Sequence, residues 1–204
     1  MPGSSLGEDE VKLTIDTILS LIKEPSIIVA SGSLPGGVPD DFFAGLVSAS
    51  KHTASKFIID TSGEPLQLAA KEGVYLLKPN LAELSRLVGV EHLKPDEIEH
   101  AAREVIKNGN CEIVVVSMAE SGAMLVTKDM CENVVAPDVK KVSTIGAGDS
   151  MVAGMIWMLE QGKTLSEMIR FGVACGSATT MTPGSQLFRK SDVIKLYEQM
   201  NSSA

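Results

Sequence analysis

Aromatic residues are scarce in this chain: one Trp, two Tyr and five Phe make up 4% of its 204 residues, so the interior must be packed with aliphatic side chains. The hydrophobic share of 44% is enough for one sizeable core, and a single globular domain is expected. Basic residues are outnumbered, 18 Lys and Arg against 26 Asp and Glu. The resulting formal charge of −8 argues against a nucleic-acid or anionic-membrane partner, whose phosphates demand basic surface. Local anion binding by backbone N–H groups stays open. Cysteine is limited to Cys111, Cys131 and Cys175, without metal-ligand spacing, which favours free thiols in a reducing compartment over disulfides or zinc. No apolar run is long enough to cross a bilayer, and Met1-Pro2-Gly3-Ser4 lacks the basic and apolar regions of a signal peptide, so a cytoplasmic protein is expected. His52, His92 and His100 lie among polar residues, away from any glycine loop, and are given no role.

What the sequence does have is a rhythm of β-branched runs and amphipathic stretches, the pattern of parallel strands joined by helical crossovers in an α/β fold. Strands are expected at Ser26 to Ala30, Lys56 to Asp60, Val74 to Lys78, Glu112 to Ser117, Gly122 to Thr127 and Asn133 to Ala136. Helices are expected at Glu8 to Lys23, from Pro39 to about Ser50, Glu64 to Lys71, after an Asn80 cap, from Pro95 to about Asn108, and at Ala147 to Gln161, Leu165 to Met181 and Ser191 to Met200. The loops after Ala30, Lys78 and Ser117 then fall at carboxyl ends of strands, where ligands bind in open α/β sheets.

Gly146-Ala147-Gly148-Asp149 carries the most chemistry. It reads as a tight glycine turn opening a helix, which leaves backbone N–H groups at the positive end of the helix dipole and suits a phosphate. An acid beside such an anion hole has an obvious task in taking the proton from a hydroxyl that attacks the phosphate. The plainer alternative is a helix entered through flexible glycines with Asp149 in its first turn. Asn80 and Glu83, three apart, are placed to position hydrated magnesium or to form a capping box. Ser117 to Gly122 suits a nucleotide phosphate or an ordinary hairpin turn. Ser31-Gly32-Ser33 offers hydroxyls and a flexible backbone to a hydroxyl-rich or phosphorylated ligand. Ala174, Gly176 and Ser177 are small enough to border an adenine ring or to let two helices pack closely. Trp157 and the methionines around it are expected in the core beneath the Gly146 turn.

Taken in order, Met1-Pro2-Gly3, Ser31 to Pro35, Asp60-Thr61-Ser62-Gly63-Glu64, Lys78-Pro79-Asn80, Glu83-Leu84-Ser85, Val114 to Ser117, Gly146 to Met151, and Arg170 to Ala174 with Gly176-Ser177-Ala178 resemble the PfkB branch of the ribokinase-like sugar kinases. The resemblance implies a ribokinase-like three-layer αβα fold with a mostly parallel sheet. Residues 1–204 would form the carboxy-terminal two-thirds of one kinase domain, lacking the amino-terminal strands and β-lid. It further implies transfer of the γ-phosphoryl group of MgATP to the C1 hydroxyl of fructose 6-phosphate, giving fructose 1,6-bisphosphate. The alternatives are tagatose 6-phosphate or fructose 1-phosphate as acceptor, or a non-catalytic nucleotide-binding form. Asp149 would be the base, and the amides of Gly146, Ala147 and Gly148 would stabilise the transferring group. Lys78, Asn80, Ser117, Gly122 and Ser177 would meet the nucleotide, with Glu83 and Asn80 on magnesium. Ser31, Gly32, Ser33 and Asp149 would meet the sugar. In similar proteins a potassium ion is held mainly by backbone carbonyls, which points here to Ser143, Ile145, Thr179, Thr182 and Gly184. Family members carry on the order of a hundred further residues at the amino end, which bring the sugar grip and the lid that forms a homodimer. Ala119 departs from a glycine common in relatives, as do Thr182 and Gln186 from an Asn and an Arg.

Overall fold

The computed structural model describes residues 4–22, 26–109 and 111–202, so Met1-Pro2-Gly3 and the expected end of the first helix at Lys23 lie outside it. Six strands form one sheet in the order β1-β2-β3-β4-β5-β6: β1 is Ile27–Ser31, β2 Lys56–Asp60, β3 Leu76–Leu77, β4 Ile113–Ser117, β5 Ala123–Thr127 and β6 Cys131–Val134. The first three pairings are parallel, with Val29 opposite Ile58, Ile58 opposite Leu76 and Leu76 opposite Ile113. Helical crossovers make such pairings, and the expected α/β rhythm is borne out. No helix among the described residues is long and apolar enough to cross a membrane.

The chain divides into two compact units. The first comprises the residues up to Val114 with Val126–Asp129. It contains α1 (Glu8–Leu21), β1, α2 (Phe42–Ala49), β2, α3 (Gly63–Ala70), β3, α4 (Leu81–Leu87) and α5 (Ile98–Gly109). Phe57, Ile58 and Ile59 are buried in succession along β2, as an interior parallel strand requires, and Leu66, Leu76, Leu77, Leu84, Ala101, Ala102 and Val105 complete the core. Each fully buried Ile or Leu contributes about 1.5–3 kcal/mol. Several expected boundaries shift, among them the last strand, which is Cys131–Val134 rather than Asn133 to Ala136, and the helix expected from Pro95, which becomes α-helical only at Ile98 after a 3-10 turn. The helix expected from Pro39 begins at Phe42, after a turn in which the Phe42 N–H donates to the Pro39 carbonyl at 3.0 Å. Strand β3 is regular over two residues only, yet its flanks keep ladder-like bonds, Lys78 N–H to Ile59 at 3.1 Å and Glu112 N–H to Val74 at 3.2 Å.

The second unit comprises Val115–Leu125 and the chain from Met130. Its helices α6 (Ala147–Glu160), α7 (Leu165–Thr180) and α8 (Lys190–Ser202) pack through Met151, Met155, Met158, Met168, Ile169, Val173, Cys175, Val193 and Leu196. Close approach of α6 and α7 depends on glycine: a Cβ on Gly172 would lie 2.6 Å from Met155 Cγ and 3.1 Å from the Met151 carbonyl oxygen. Phe171 and Tyr197 meet edge to face, centroids 5.2 Å apart. The expected place of Trp157 in the core is overturned, since the residue is 60% exposed. At 100° per residue, Ala153, Trp157 and Glu160 share the exposed stripe of α6, while Met151, Met155 and Met158 occupy the buried one.

Candidate functional site

In the first unit the polar residues gather where β1, β2 and β3 end. Asp60 closes β2 and Lys78 follows β3, and their side chains form an ion pair at 3.0 Å with only 16% and 7% exposure. Parallel pairing accounts for the meeting, because the two strands run in register and end side by side. The same corner holds the loop after β1: the Gly32 N–H donates to the Asp60 carbonyl at 2.9 Å, and the Thr61 hydroxyl donates to the Gly32 carbonyl at 2.7 Å. Ser31, Gly32 and Ser33 are exposed there. Lys78, expected to meet phosphate, makes this ion pair with Asp60 through an ammonium that carries three donors. Sequence reading missed this partner, although a strand ending in an acid beside a strand followed by lysine was the available signal.

Asn80 and Glu83 form the reciprocal capping box of α4. The Glu83 N–H donates to Asn80 Oδ1 at 2.9 Å, and the Asn80 N–H donates to Glu83 Oε2 at 2.8 Å. The cap engages one carboxylate oxygen of Glu83. A magnesium ion keeps most of its water and needs only one or two carboxylates, so Glu83 fits a hydrated ion. No cluster of three or more His, Cys, Asp or Glu suited to a directly bound metal exists among the described residues.

In the second unit α6 opens at Gly146, whose φ of 75° is in the left-handed region. Gly146, the N-cap residue, has no side chain with which to cap this end, and Asp149 is exposed in the first helical turn. Of the three amides expected to face outward, that of Ala147 turns to the Thr144 carbonyl at 3.3 Å, while Gly146 and Gly148 donate to no other described residue. Next to Asp149, Ser150 is 4% exposed, and its hydroxyl has no hydrogen-bond partner among the described residues. Nothing in the sequence distinguished this serine.

Close packing explains the small residues of α7. Ala174 is fully buried, and a Cβ on Gly176 would come within 3.1 Å of the Ala147 carbonyl oxygen. Ser177 is half-buried, and its carbonyl accepts the Thr180 hydroxyl at 2.7 Å. The residues expected around potassium are laced together. The Val142 and Ser143 N–H groups both donate to the Thr180 carbonyl, at 2.7 and 3.2 Å. Ser143 Oγ donates to the Gly184 carbonyl at 3.0 Å and accepts from the Ile145 N–H at 3.3 Å. Thr182 Oγ1 lies 2.8 Å from the Thr179 carbonyl and 2.6 Å from that of Gln186. A carbonyl oxygen has two lone pairs, so those of Ser143, Ile145, Thr182 and Gly184 fit a weakly held cation better than that of Thr179, which also accepts the Thr182 N–H at 3.1 Å.

The loop after β4 is a tight turn, with the Met118 N–H donating to the Gly122 carbonyl at 2.9 Å and Ser117 half-buried at its start. Gly122 is glycine for a local reason, since a Cβ there would fall 1.9 Å from the Val134 carbonyl oxygen of β6.

Comparison with known proteins sets these corners in a family. The pattern of the pfkB family of carbohydrate kinases matches residues 5–191. An ATP-dependent 6-phosphofructokinase isozyme 2 of Escherichia coli is 43% identical over 202 residues, covering 98% of this chain and 65% of that protein. A 1-phosphofructokinase of Bacillus subtilis is 33% identical over 180 residues, covering 88% of this chain and 59% of that protein. The crystal structure of phosphofructokinase-2 from Escherichia coli in complex with potassium superposes with a TM-score of 0.93 at 42% identity, over 98% of this chain and 65% of that one. The chain therefore spans somewhat less than two thirds of the length of these relatives, and its architecture is the ribokinase-like one that they share.

Proposed function

We propose, on the premise that this chain belongs to the pfkB family of carbohydrate kinases, that it carries the phosphoryl-transfer part of an ATP-dependent sugar-phosphate kinase. Its acceptor would be the C1 hydroxyl of fructose 6-phosphate. Both compact units would serve this one kinase domain. The observation that carries the reading is the opening of α6: an exposed carboxylate, Asp149, stands in the first turn of a 14-residue helix whose Gly146 and Gly148 amides are not used within the described chain.

In this reading Asp149 orients the attacking hydroxyl and takes its proton, while the amides of Gly146 and Gly148 hold the equatorial oxygens of the migrating group. Charge that develops on those oxygens meets the positive end of the α6 dipole. The Ser117–Gly122 loop receives the nucleotide phosphates, Ser177 lies by the nucleoside, and the Ser31–Gly32–Ser33 loop meets the sugar phosphate. Magnesium, held through Glu83 and Asn80, would neutralise charge between the phosphates. A potassium ion at the Ser143, Ile145, Thr182 and Gly184 carbonyls would add positive field near the Gly146 turn, in keeping with the potassium named for the Escherichia coli structure. Lys78 fixes the ends of β2 and β3 through Asp60.

Fructose 1-phosphate is the competing acceptor, favoured by the 1-phosphofructokinase among the relatives. A coupled ADP-release assay with both sugar phosphates separates the two. Asp149→Asn should lower turnover by about 10²- to 10⁴-fold while calorimetry shows MgATP still binding. Equal turnover in the variant refutes the role of Asp149, and MgATP binding without turnover in the parent chain identifies a non-catalytic nucleotide-binding form.

A further inference from the structure

The turn between β4 and β5 is held from outside itself. Ala119 has φ of 50°, making it the one non-glycine residue at positive φ among those described. An L side chain pays for that conformation with a population loss of roughly five- to thirtyfold. Within the turn the Ser121 N–H donates to Met118 at 3.0 Å and the Gly122 N–H to Ala119 at 3.1 Å. Besides the packing of Gly122 on Val134, the turn has an outer contact in the ion pair between Glu120 and Lys141. That hydrogen bond, and then the charge of Lys141, hold the exposed Glu120 carboxyl below the usual carboxylate range. Lys141 is the anchored end of the pair, because the next two residues, Val142 and Ser143, both donate their N–H groups to the Thr180 carbonyl. A surface ion pair biases a local equilibrium by about two- to fivefold, comparable with the lower bound of the backbone strain. Removing the pair therefore tilts the balance between the strained turn and its relaxed alternatives by about two- to fivefold.

We propose that Lys141 is a positioning residue that, through Glu120, holds the β4–β5 turn in its left-handed conformation and so sets the affinity of that turn for nucleotide phosphate. The second half rests on the reading of the Ser117–Gly122 loop given under the proposed function. Lys141 acts at one remove, so Glu120→Gln and Lys141→Met should have the same effect, whereas a lysine that itself bound phosphate would be lost in the second variant only.

Amide hydrogen exchange at Ser121 and Gly122, read without nucleotide, tests the latch, and calorimetric titration with MgATP tests its consequence. Exchange should quicken by about two- to fivefold in Lys141→Met and in Glu120→Gln, with MgATP affinity falling by a similar factor. Lys141→Arg and the charge exchange E120K with K141E should restore both readouts. Unchanged exchange in both single variants overturns the latch even where the parent chain binds MgATP. Quickened exchange with unaltered MgATP affinity overturns the positioning role. Quickened and restored exchange in a chain that never binds MgATP leaves the latch standing and removes the nucleotide reading on which its consequence rests.

Discussion

Replacing Asp60 by Asn asks whether the Lys78 ammonium is held by charge or merely enclosed. The substitution preserves shape but removes the negative charge facing an Nζ at 3.0 Å, on a side chain only 7% exposed. Breaking a buried ion pair costs about 3–5 kcal/mol. Asp60 retains 16% exposure and the Asn oxygen still accepts a hydrogen bond, so the expected loss falls to about 2–3 kcal/mol. Lys78→Met should cost less, about 1–2 kcal/mol, because the carboxylate it leaves behind reaches water more readily than the stranded ammonium does. The double variant leaves no stranded charge and should recover at least about 1 kcal/mol relative to Asp60→Asn. Urea unfolding with an unchanged m-value is the assay. In a chain of 204 residues the loss corresponds to a melting temperature lower by about 4–12 °C. Stability of Asp60→Asn within about 0.5 kcal/mol of the parent, or a double variant weaker than Asp60→Asn, would falsify the ion-pair argument.

Two further predictions concern groups whose surroundings are clear. Burial pushes the Cys111 and Cys175 thiols up to about 12, so both stay protonated at neutral pH, whereas Cys131 is exposed. Maleimide should therefore label one cysteine per native chain and three after unfolding, and mass spectrometry finding a second native label would show one buried site opening. A Cβ at Gly146 would meet nothing within 4 Å, so Gly146→Ala pays only for its φ of 75°. That cost is about 1–2 kcal/mol by thermal unfolding, and a larger loss would reveal a contact at the helix entrance.

Much of the architecture was legible in the sequence because each element carried a local signal. The run Lys56–Asp60 is observed as read, Asn80 and Glu83 form the box their spacing promised, and the glycines before α6 open a helix as expected. What escaped were features decided by tertiary neighbours. Trp157 looks like core by its chemistry, but the phase of α6, set by packing on Gly172 and Cys175, leaves it on the outer stripe. Ion pairs such as Asp60 with Lys78 and Glu120 with Lys141 join residues about 20 apart in sequence, and only strand register or loop geometry brings them together. Ala119 was legible as a departure from glycine, yet its consequence needed the backbone angle.

Ser150 offers a sharper test of the α6 entrance than any residue already given a role. A hydroxyl buried without a partner costs about 1–3 kcal/mol of desolvation, and helix interiors favour Ala over Ser by a few tenths of a kcal/mol. The small cavity left by one oxygen atom offsets little of this. Ser150→Ala should therefore stabilise the chain by about 0.5–2 kcal/mol in urea unfolding, contrary to the usual direction of substitutions at a site only 4% exposed. A destabilisation of about 1 kcal/mol instead would mean that the hydroxyl has a partner in solution, a water molecule or an ion at the mouth of the helix. Repeating the measurement in saturating MgATP separates those two outcomes. If the nucleotide stabilises the parent more than Ser150→Ala, the hydroxyl belongs to the ligand site beside Asp149, and if it stabilises both equally, the partner is structural.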